Sequence, residues 1–315
     1  MKNKDSSQGS LFPVGKGRVR TSCEKPLQVL VQRLFGLIDR EGEWPSVIPN
    51  LTFHRFDHPT KPTGYLLEPS ICLILQGSKH VVLGERQYTY GPGHFFVTSI
   101  DLPVIARILE ASPSIPFLGM VLRLDRMEVA RLVMESPLPP MKEVSDDEVI
   151  EFGEIARSLL EAIVRLVDLL AEPELIPVLS PLMQREILCR FLLTPCGPKI
   201  RQIAVGGNPT HQISKVIDWI KRHLTEKLRV EDLAIRSGMS VSTLHHHFRS
   251  LTSLSPLQFQ KRLRLNEARY LMLEHRMDVA SAAFKVGYES PSQFSREYSR
   301  LFGAPPLRDI RNLAD

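Results

Sequence analysis

A multi-domain α+β chain is expected, with an N-terminal antiparallel β jelly roll carrying accessory helices and an all-α C-terminal unit, on three observations. Residues 51–124 break into short apolar or alternating runs punctuated by Gly and Pro, the pattern of closely spaced strands in a sandwich or barrel. From Ile213 onward the chain reads as nearly continuous short helices containing an internal repeat. Its 315 residues exceed one ordinary domain of about 100–200, and 43% hydrophobic against 24% charged residues suits a buried globular core.

Taken in order, residues 1–25 mix Gly, Ser, Lys and Arg without periodicity and are expected to be a disordered tail. A short amphipathic helix follows near Leu27–Asp39. The strand runs are LTFHRF, ICLILQG, KHVVLG, RQYTY, HFFVTSI, PVIARILE and FLGMVLRL, separated by turn signals such as Gly84-Glu85 and Gly91-Pro92-Gly93. Helices are expected over Asp125–Glu135, Asp146–Ala171 and Pro181–Leu193. In the second, Val149, Phe152, Ala156, Leu159, Ile163, Leu166 and Leu170 recur at alternating spacings of 3 and 4, an a/d seam. Phe152, Leu159, Ile163, Leu166 and Leu170 are therefore candidate homodimer contacts, the alternative being a stripe packed on the chain's own barrel. The Gly- and Pro-bearing segment 196–210 is the expected linker between a sensor or dimerisation domain over 26–195 and the helical domain over 211–315.

Charge is unevenly spread. Residues 207–315 hold 17 Lys+Arg against 11 Asp+Glu, whereas the whole chain carries a net charge of only +5. A basic module on a near-neutral one implies that the C-terminal third meets a polyanion. No apolar run reaches the roughly 18–20 residues of a membrane span, and no secretory signal is visible, so a cytoplasmic protein without a membrane partner is expected. Cys23, Cys72, Cys189 and Cys196 form no C-x-x-C pair, which excludes a zinc knuckle and fits a reducing compartment.

The repeat carries the chemistry. Val230–Gly238 aligns with Val279–Gly287, and Ser240, Leu244, Phe248 and Leu251 then stand opposite Ser290, Phe294, Tyr298 and Leu301. Each unit, about 230–252 and 279–302, is a helix, a Gly-containing turn, a Ser cap and a second helix: a helix-turn-helix present twice. Leu244, Phe248 and Leu251 at i, i+4, i+7 form a buried stripe, leaving Ser242, His245, His246 and Arg249 outward. In the second unit Ser290-Pro291-Ser292-Gln293 reads as a capping box, and Ser292, Gln293, Arg296 and Arg300 face out. Arg forks suit guanine O6/N7 and Gln suits adenine N6/N7. Ser255-Pro256-Leu257-Gln258 opens a rigid helix between the units, long enough to space two readers by about one turn of DNA. Arg249, Lys261, Arg262, Arg264 and Arg300 are candidate phosphate contacts, with Arg269, Arg276 and Arg308 as further cations of the same kind.

Residues 213–310 resemble the double helix-turn-helix domain of AraC/XylS-family transcriptional regulators, most strongly through Gly287-Tyr288-Glu289-Ser290, Ser292-Gln293-Phe294-Ser295-Arg296, Tyr298, Phe302-Gly303 and Pro305-Pro306. The resemblance puts base reading on Ser242, His245 and His246 in the first unit and Ser292, Gln293 and Arg296 in the second. Three successive His at 245–247 depart from the family pattern, where Gln, Arg or aromatic residues are common. The stretch Glu68–Lys79, with Tyr90-Gly91-Pro92-Gly93-His94 and Asp101-Leu102-Pro103, is similar to the cupin-like N-terminal half of a subset of these regulators, which implies effector binding or dimerisation.

The expected function is thus an effector-responsive, sequence-specific regulator that binds promoter DNA, catalyses no reaction and needs no cofactor. The competing classes are a cupin metalloenzyme fused to a DNA-targeting module and a constitutive DNA-binding dimer without effector. Against a metal, His54 and His58 lie about 13 Å apart on a strand, and the side chains of His245-His246-His247 diverge around a helix by about 100° each. Cys72, on an expected barrel strand, is either a structural thiol or an electrophile sensor.

Overall fold

A computed structural model describes residues 11–12, 20–136, 138, 150–204 and 208–314. Two sheets face each other. One runs β1 (Leu11–Phe12), β7 (Arg86–Tyr90), β6 (Ser78–Leu83), β9 (Leu102–Glu110) and β4 (Thr63–Leu67). The other runs β11 (Ile150–Glu154), β8 (His94–Thr98), β5 (Ser70–Gln76), β10 (Phe117–Arg123), β3 (Leu51–Phe56) and β2 (Gly42–Pro45). Every pairing is antiparallel except β1 on β7.

Strand β5 shows why the sheets are layered. Its run Ser-Ile-Cys-Leu-Ile-Leu is buried throughout, because both faces of the sheet are covered and neither needs polar residues. Ile71, Leu73 and Leu75 point outward into a core shared with α1 (Thr21–Leu37), α3 (Arg157–Asp168) and α4 (Ile176–Leu192), while Cys72 and Ile74 point into the barrel. Between β10 and the barrel's outer helices, α2 (Arg126–Glu135) starts where Asp125 accepts the amides of Met127 and Glu128, an ordinary N-cap.

Three expectations need correction here. The tail ends earlier, since α1 begins at Thr21; residues 1–10 and 13–19 lie outside the described residues. The expected helix over 146–171 is not one element: residues 146–149 are outside the described set, 150–154 form β11 on β8, and the helix covers only 157–168. Phe152 therefore packs inside the barrel, its ring 5.0 Å from Tyr88 and 5.5 Å from Tyr90. The seam is filled within one chain. Leu159, Ile163 and Leu166 are at most 1% exposed against α1 and α4, and Leu170 packs on the same core. A homodimer using these side chains would have to open the domain's own core.

The linker is corrected as well. It contains α5 (Gly197–Arg201), whose Ile200 is fully buried, and the helical domain begins at α6 (Pro209–Arg222) with Asn208 capping His211 N at 2.7 Å. Then follow α7 (Val230–Ser237), α8 (Val241–Thr252), α9 (Pro256–Glu274), α10 (Val279–Lys285), α11 (Pro291–Phe302) and α12 (Pro306–Ala314). One apolar core continues from the barrel interior into α6, α7, α8 and the start of α9; a separate one lies under α9–α12.

Candidate nucleic-acid interface

Each helix-turn-helix is set by its turn. In the first, Gly238 takes a left-handed φ of 66° to end α7, and the Ser240 hydroxyl accepts Thr243 N to start α8. In the second, Gly287 has φ +89°, and a Cβ there would sit 2.8 Å from the Thr225 carbonyl oxygen, so backbone approach as well as φ requires glycine. Ser290 caps α11 by accepting Gln293 N. The Gln293 side chain does not reach back to complete a capping box; it donates to Glu297 at 3.2 Å. The box at Ser255 and Gln258 is complete and starts α9, whose 19 residues extend about 28 Å.

The buried stripes leave the expected readers outside. Leu244, Phe248, Phe294 and Tyr298 are fully buried, while Ser242, His245, His246, Arg249, Ser292, Gln293, Arg296 and Arg300 are exposed. His245, His246 and Arg249 line a shallow concavity on α8. Among the described residues, Arg249, Arg296 and Arg300 enter no ion pair.

The candidate phosphate contacts divide. Lys261, half-exposed, pairs with Glu297 at 2.9 Å; Glu297 also accepts the Tyr288 hydroxyl at 2.8 Å. Burial would raise the Glu297 carboxyl, but these donors and Gln293 hold it below the usual carboxylate range. Arg264 is a correction: its guanidinium donates to the carbonyls of Leu224, Glu226 and Gly287, at 2.7, 2.9 and 3.0 Å, tying the two units together. Arg262 points at the barrel and donates to the Pro103 carbonyl on β9 at 3.2 Å. Arg269 forms a bidentate pair with buried Asp309. No sequence signal could mark Arg264 or Arg262, because the carbonyls they meet are distant in the chain.

Barrel and helices are joined by charge. Lys221 on α6 donates to Asp101 at 2.7 Å and Glu68 at 3.3 Å, and Arg126 on α2 meets Asp218 on α6 at 2.7 Å. Gly84, in the β6–β7 turn, touches the Ser253 end of α8, and Gly64 on β4 faces Phe302 of α11.

The barrel offers no metal centre among the described residues. His94 is buried and its Nδ1 lies 3.1 Å from the Pro92 carbonyl; His58 stands against Glu41. The Cys72 thiol is pushed up to about 11 by burial, which removes the thiolate an electrophile sensor needs. Burial, and then the charge of Lys79, push His54 down from 6.5 to about 3. Unfolded His54 takes up a proton below about 6.5 and the folded one does not, so stability is lost as pH falls through that window. Between about pH 7 and about pH 5.5, wild type should lose about 1 kcal/mol more than His54→Gln in denaturant unfolding. Equal losses would contradict a neutral, half-buried His54.

Residues 47–199 match the family model described as AraC-type transcriptional regulator N-terminus, and residues 233–312 match a helix-turn-helix domain model. The HTH-type transcriptional activator RhaS of Escherichia fergusonii is 33% identical over 137 residues, 44% of this chain, and the chain spans 49% of its length. The HTH-type transcriptional regulator ExsA of Pseudomonas aeruginosa is 26% identical over 250 residues, covering 76% of this chain and 85% of that protein. Among solved structures, ToxT from Vibrio cholerae O395 bound to (E)-4-(8-methylnaphthalen-1-yl)but-3-enoic acid has a TM-score of 0.59 at 12% identity, covering 83% and 99% of the two chains. ToxT from strain SCE256 with an unsaturated fatty acid gives 0.55 at 13%, covering 87% and 97%. These ToxT likenesses establish the shared fold. No helix among the described residues is long and apolar enough to cross a membrane.

Proposed function

Because the chain belongs to the AraC-type transcriptional regulators, we propose that it reads a promoter site with two helices, α8 and α11, set into successive major grooves and spaced by α9. The observation that carries this reading is the twofold recurrence of one arrangement: a Ser-capped second helix whose apolar stripe is buried and whose first turns expose polar, base-competent side chains. Ser242, His245 and His246 read in the first unit, Ser292, Gln293 and Arg296 in the second. Arg249 and Arg300 hold phosphates at the rims, and Lys261 does so on giving up Glu297. Chemistry of this kind is binding, with no bond made or broken, and it acts in the cytoplasm where the DNA is.

Regulation follows from the junction. An effector in the barrel shifts a population of arrangements through the contacts of Lys221, Arg262 and the β4 strand. The small molecules bound in ToxT, which has this fold, support an effector of that kind.

Gel shifts on the DNA upstream of the chain's own gene test the proposal. The logarithm of the binding constant should fall linearly with the logarithm of salt concentration, and Lys261→Ala should weaken specific and random DNA alike by about 2- to 5-fold while reducing the slope by about 1. Salt-independent binding, or a Lys261→Ala loss confined to the specific site, would contradict it.

A further inference from the structure

We propose that Arg264 is a positioning residue for DNA recognition: by tying the two helix-turn-helix units together at their joint, it fixes the spacing of DNA sites that the protein accepts. This rests on the two-reader proposal above and adds what sets its register along the duplex.

The joint lies on α9. The apolar core of the first unit takes in Phe259 and Leu263 near the start of that helix, and the core of the second takes in Leu265, Ala268 and Met272. The handover falls between Leu263 and Leu265, and Arg264 stands at it. A bend or twist of α9 at this point would swing α11 relative to α8 without opening either core.

Three stretches of backbone converge on that point. Gln260 and Arg264, at i and i+4, lie on one face of α9. Gln260, only 5% exposed, donates to the carbonyls of Leu224 and Glu226 at 3.1 and 2.9 Å. Arg264 donates to the same two carbonyls through Nε and one terminal nitrogen, at 2.7 and 2.9 Å. Its other terminal nitrogen reaches the Gly287 carbonyl at 3.0 Å. Leu224 and Glu226 belong to the α6–α7 connection of the first unit, and Gly287 to the turn of the second. The two backbones also meet directly, since a Cβ on Gly287 would sit 2.9 Å from the Thr225 Cα. Gln260 thus ties α9 to the first unit, whereas Arg264 ties the first unit to the second.

The chemistry suits a geometric role. A guanidinium holds its donors in a rigid planar fork, so bonds to three carbonyls of two segments fix direction as well as distance; an ammonium on a flexible stem fixes neither so well. Among the described residues Arg264 enters no ion pair, and its donors are spent on the protein's own carbonyls.

Spacing follows from this joint. One base pair inserted between the two sites moves the second by about 3.4 Å along the duplex and about 35° around it. To follow, α11 must swing about α9, which breaks the Gly287 bond and parts Gly287 from Thr225. The protein therefore reads the distance between its sites without touching a base between them.

Gel shifts with the full chain test this on the promoter site carrying no insertion, one base pair or five base pairs between its two protected patches. One inserted base pair should cost wild type at least about 10-fold in affinity. Arg264→Met, which keeps an unbranched side chain and removes the fork, should bind that site within about 3-fold of its affinity for the natural spacing. Arg264→Lys should fall between the two. The dependence of binding on salt should be the same in Arg264→Met as in wild type, whereas a lost phosphate contact would reduce its slope by about 1. Five inserted base pairs put the second site on the opposite face of the duplex, out of reach for all three proteins.

An insertion penalty in Arg264→Met as large as in wild type, which a mere folding defect would give, overturns the positioning role, and so does a salt slope reduced by about 1. Should Arg264→Met fail to fold, Arg264→Lys decides: a penalty equal to that of wild type overturns the role and a smaller one upholds it. Wild-type indifference to both insertions sinks the two-reader proposal itself, and this one with it; a spacing-sensitive wild type with an equally sensitive Arg264→Met sinks the positioning role alone.

Discussion

Asp309→Ala should destabilise the second helix-turn-helix by about 3–5 kcal/mol, the cost of stranding a buried cation. The Asp309 carboxylate, 8% exposed, accepts Arg269 Nε at 2.9 Å and its terminal nitrogen at 3.1 Å, and the Tyr298 hydroxyl at 2.7 Å. Burial and the carboxylate beside it push the Tyr298 phenol far up, so it stays a donor. The Arg269 guanidinium also stands over the Phe302 ring at 4.4 Å, which locks α9, α11 and α12 around one charge. Removing the acid leaves Arg269, whose side chain is 11% exposed, without its anion. Native-state hydrogen exchange should then show α10–α12 opening while α6–α8 keep their protection, since the two units have separate cores. Replacing the pair together, Arg269→Met with Asp309→Leu, should recover most of the loss. A loss below about 1 kcal/mol for Asp309→Ala would mean that the pair is not what holds α12 in place.

Arg296→Ala should cost about 1–3 kcal/mol on the specific site, about 5- to 150-fold in affinity, and relax preference at one base pair. Arg296 is exposed on α11, nearly two turns beyond the Ser290 cap, and among the described residues nothing competes for its fork. Gln293, by contrast, is held by Glu297 and must exchange that bond for a base edge, so its truncation is expected to cost less. Random DNA should hardly notice the loss of Arg296 beyond one phosphate-range charge. Equal losses on specific and random DNA would remove Arg296 from the readers and make it a backbone contact.

Both helix-turn-helix units were legible because their signals are local. Gly at the left-handed turn, Ser at the cap and the i, i+4, i+7 stripe each act within about a dozen residues. Apart from β4, the strands between 51 and 123 were legible for the same reason, through their turn residues. Strands β2 and β4 were missed because they are short and bear Pro, Gly and Glu, and β4 in addition pairs with β9, far along the chain. The misplaced helix over 146–171 has a specific cause: Ile150, Phe152 and Glu154 alternate as a strand, yet Phe152 also falls into step with the helical stripe that begins at Leu159. Period alone cannot separate the two over so few residues. The roles of Arg262 and Arg264 were illegible in principle, since a cation's partner is decided by which carbonyls tertiary folding brings to it.

Hydroxyl-radical footprinting on the DNA upstream of the chain's own gene tests the two-reader claim most directly. Two protected patches should appear on one face of the duplex, about 10 base pairs apart, and Arg296→Ala should abolish one while sparing the other. A single patch, or two that fade equally in the variant, would contradict two independent reading helices.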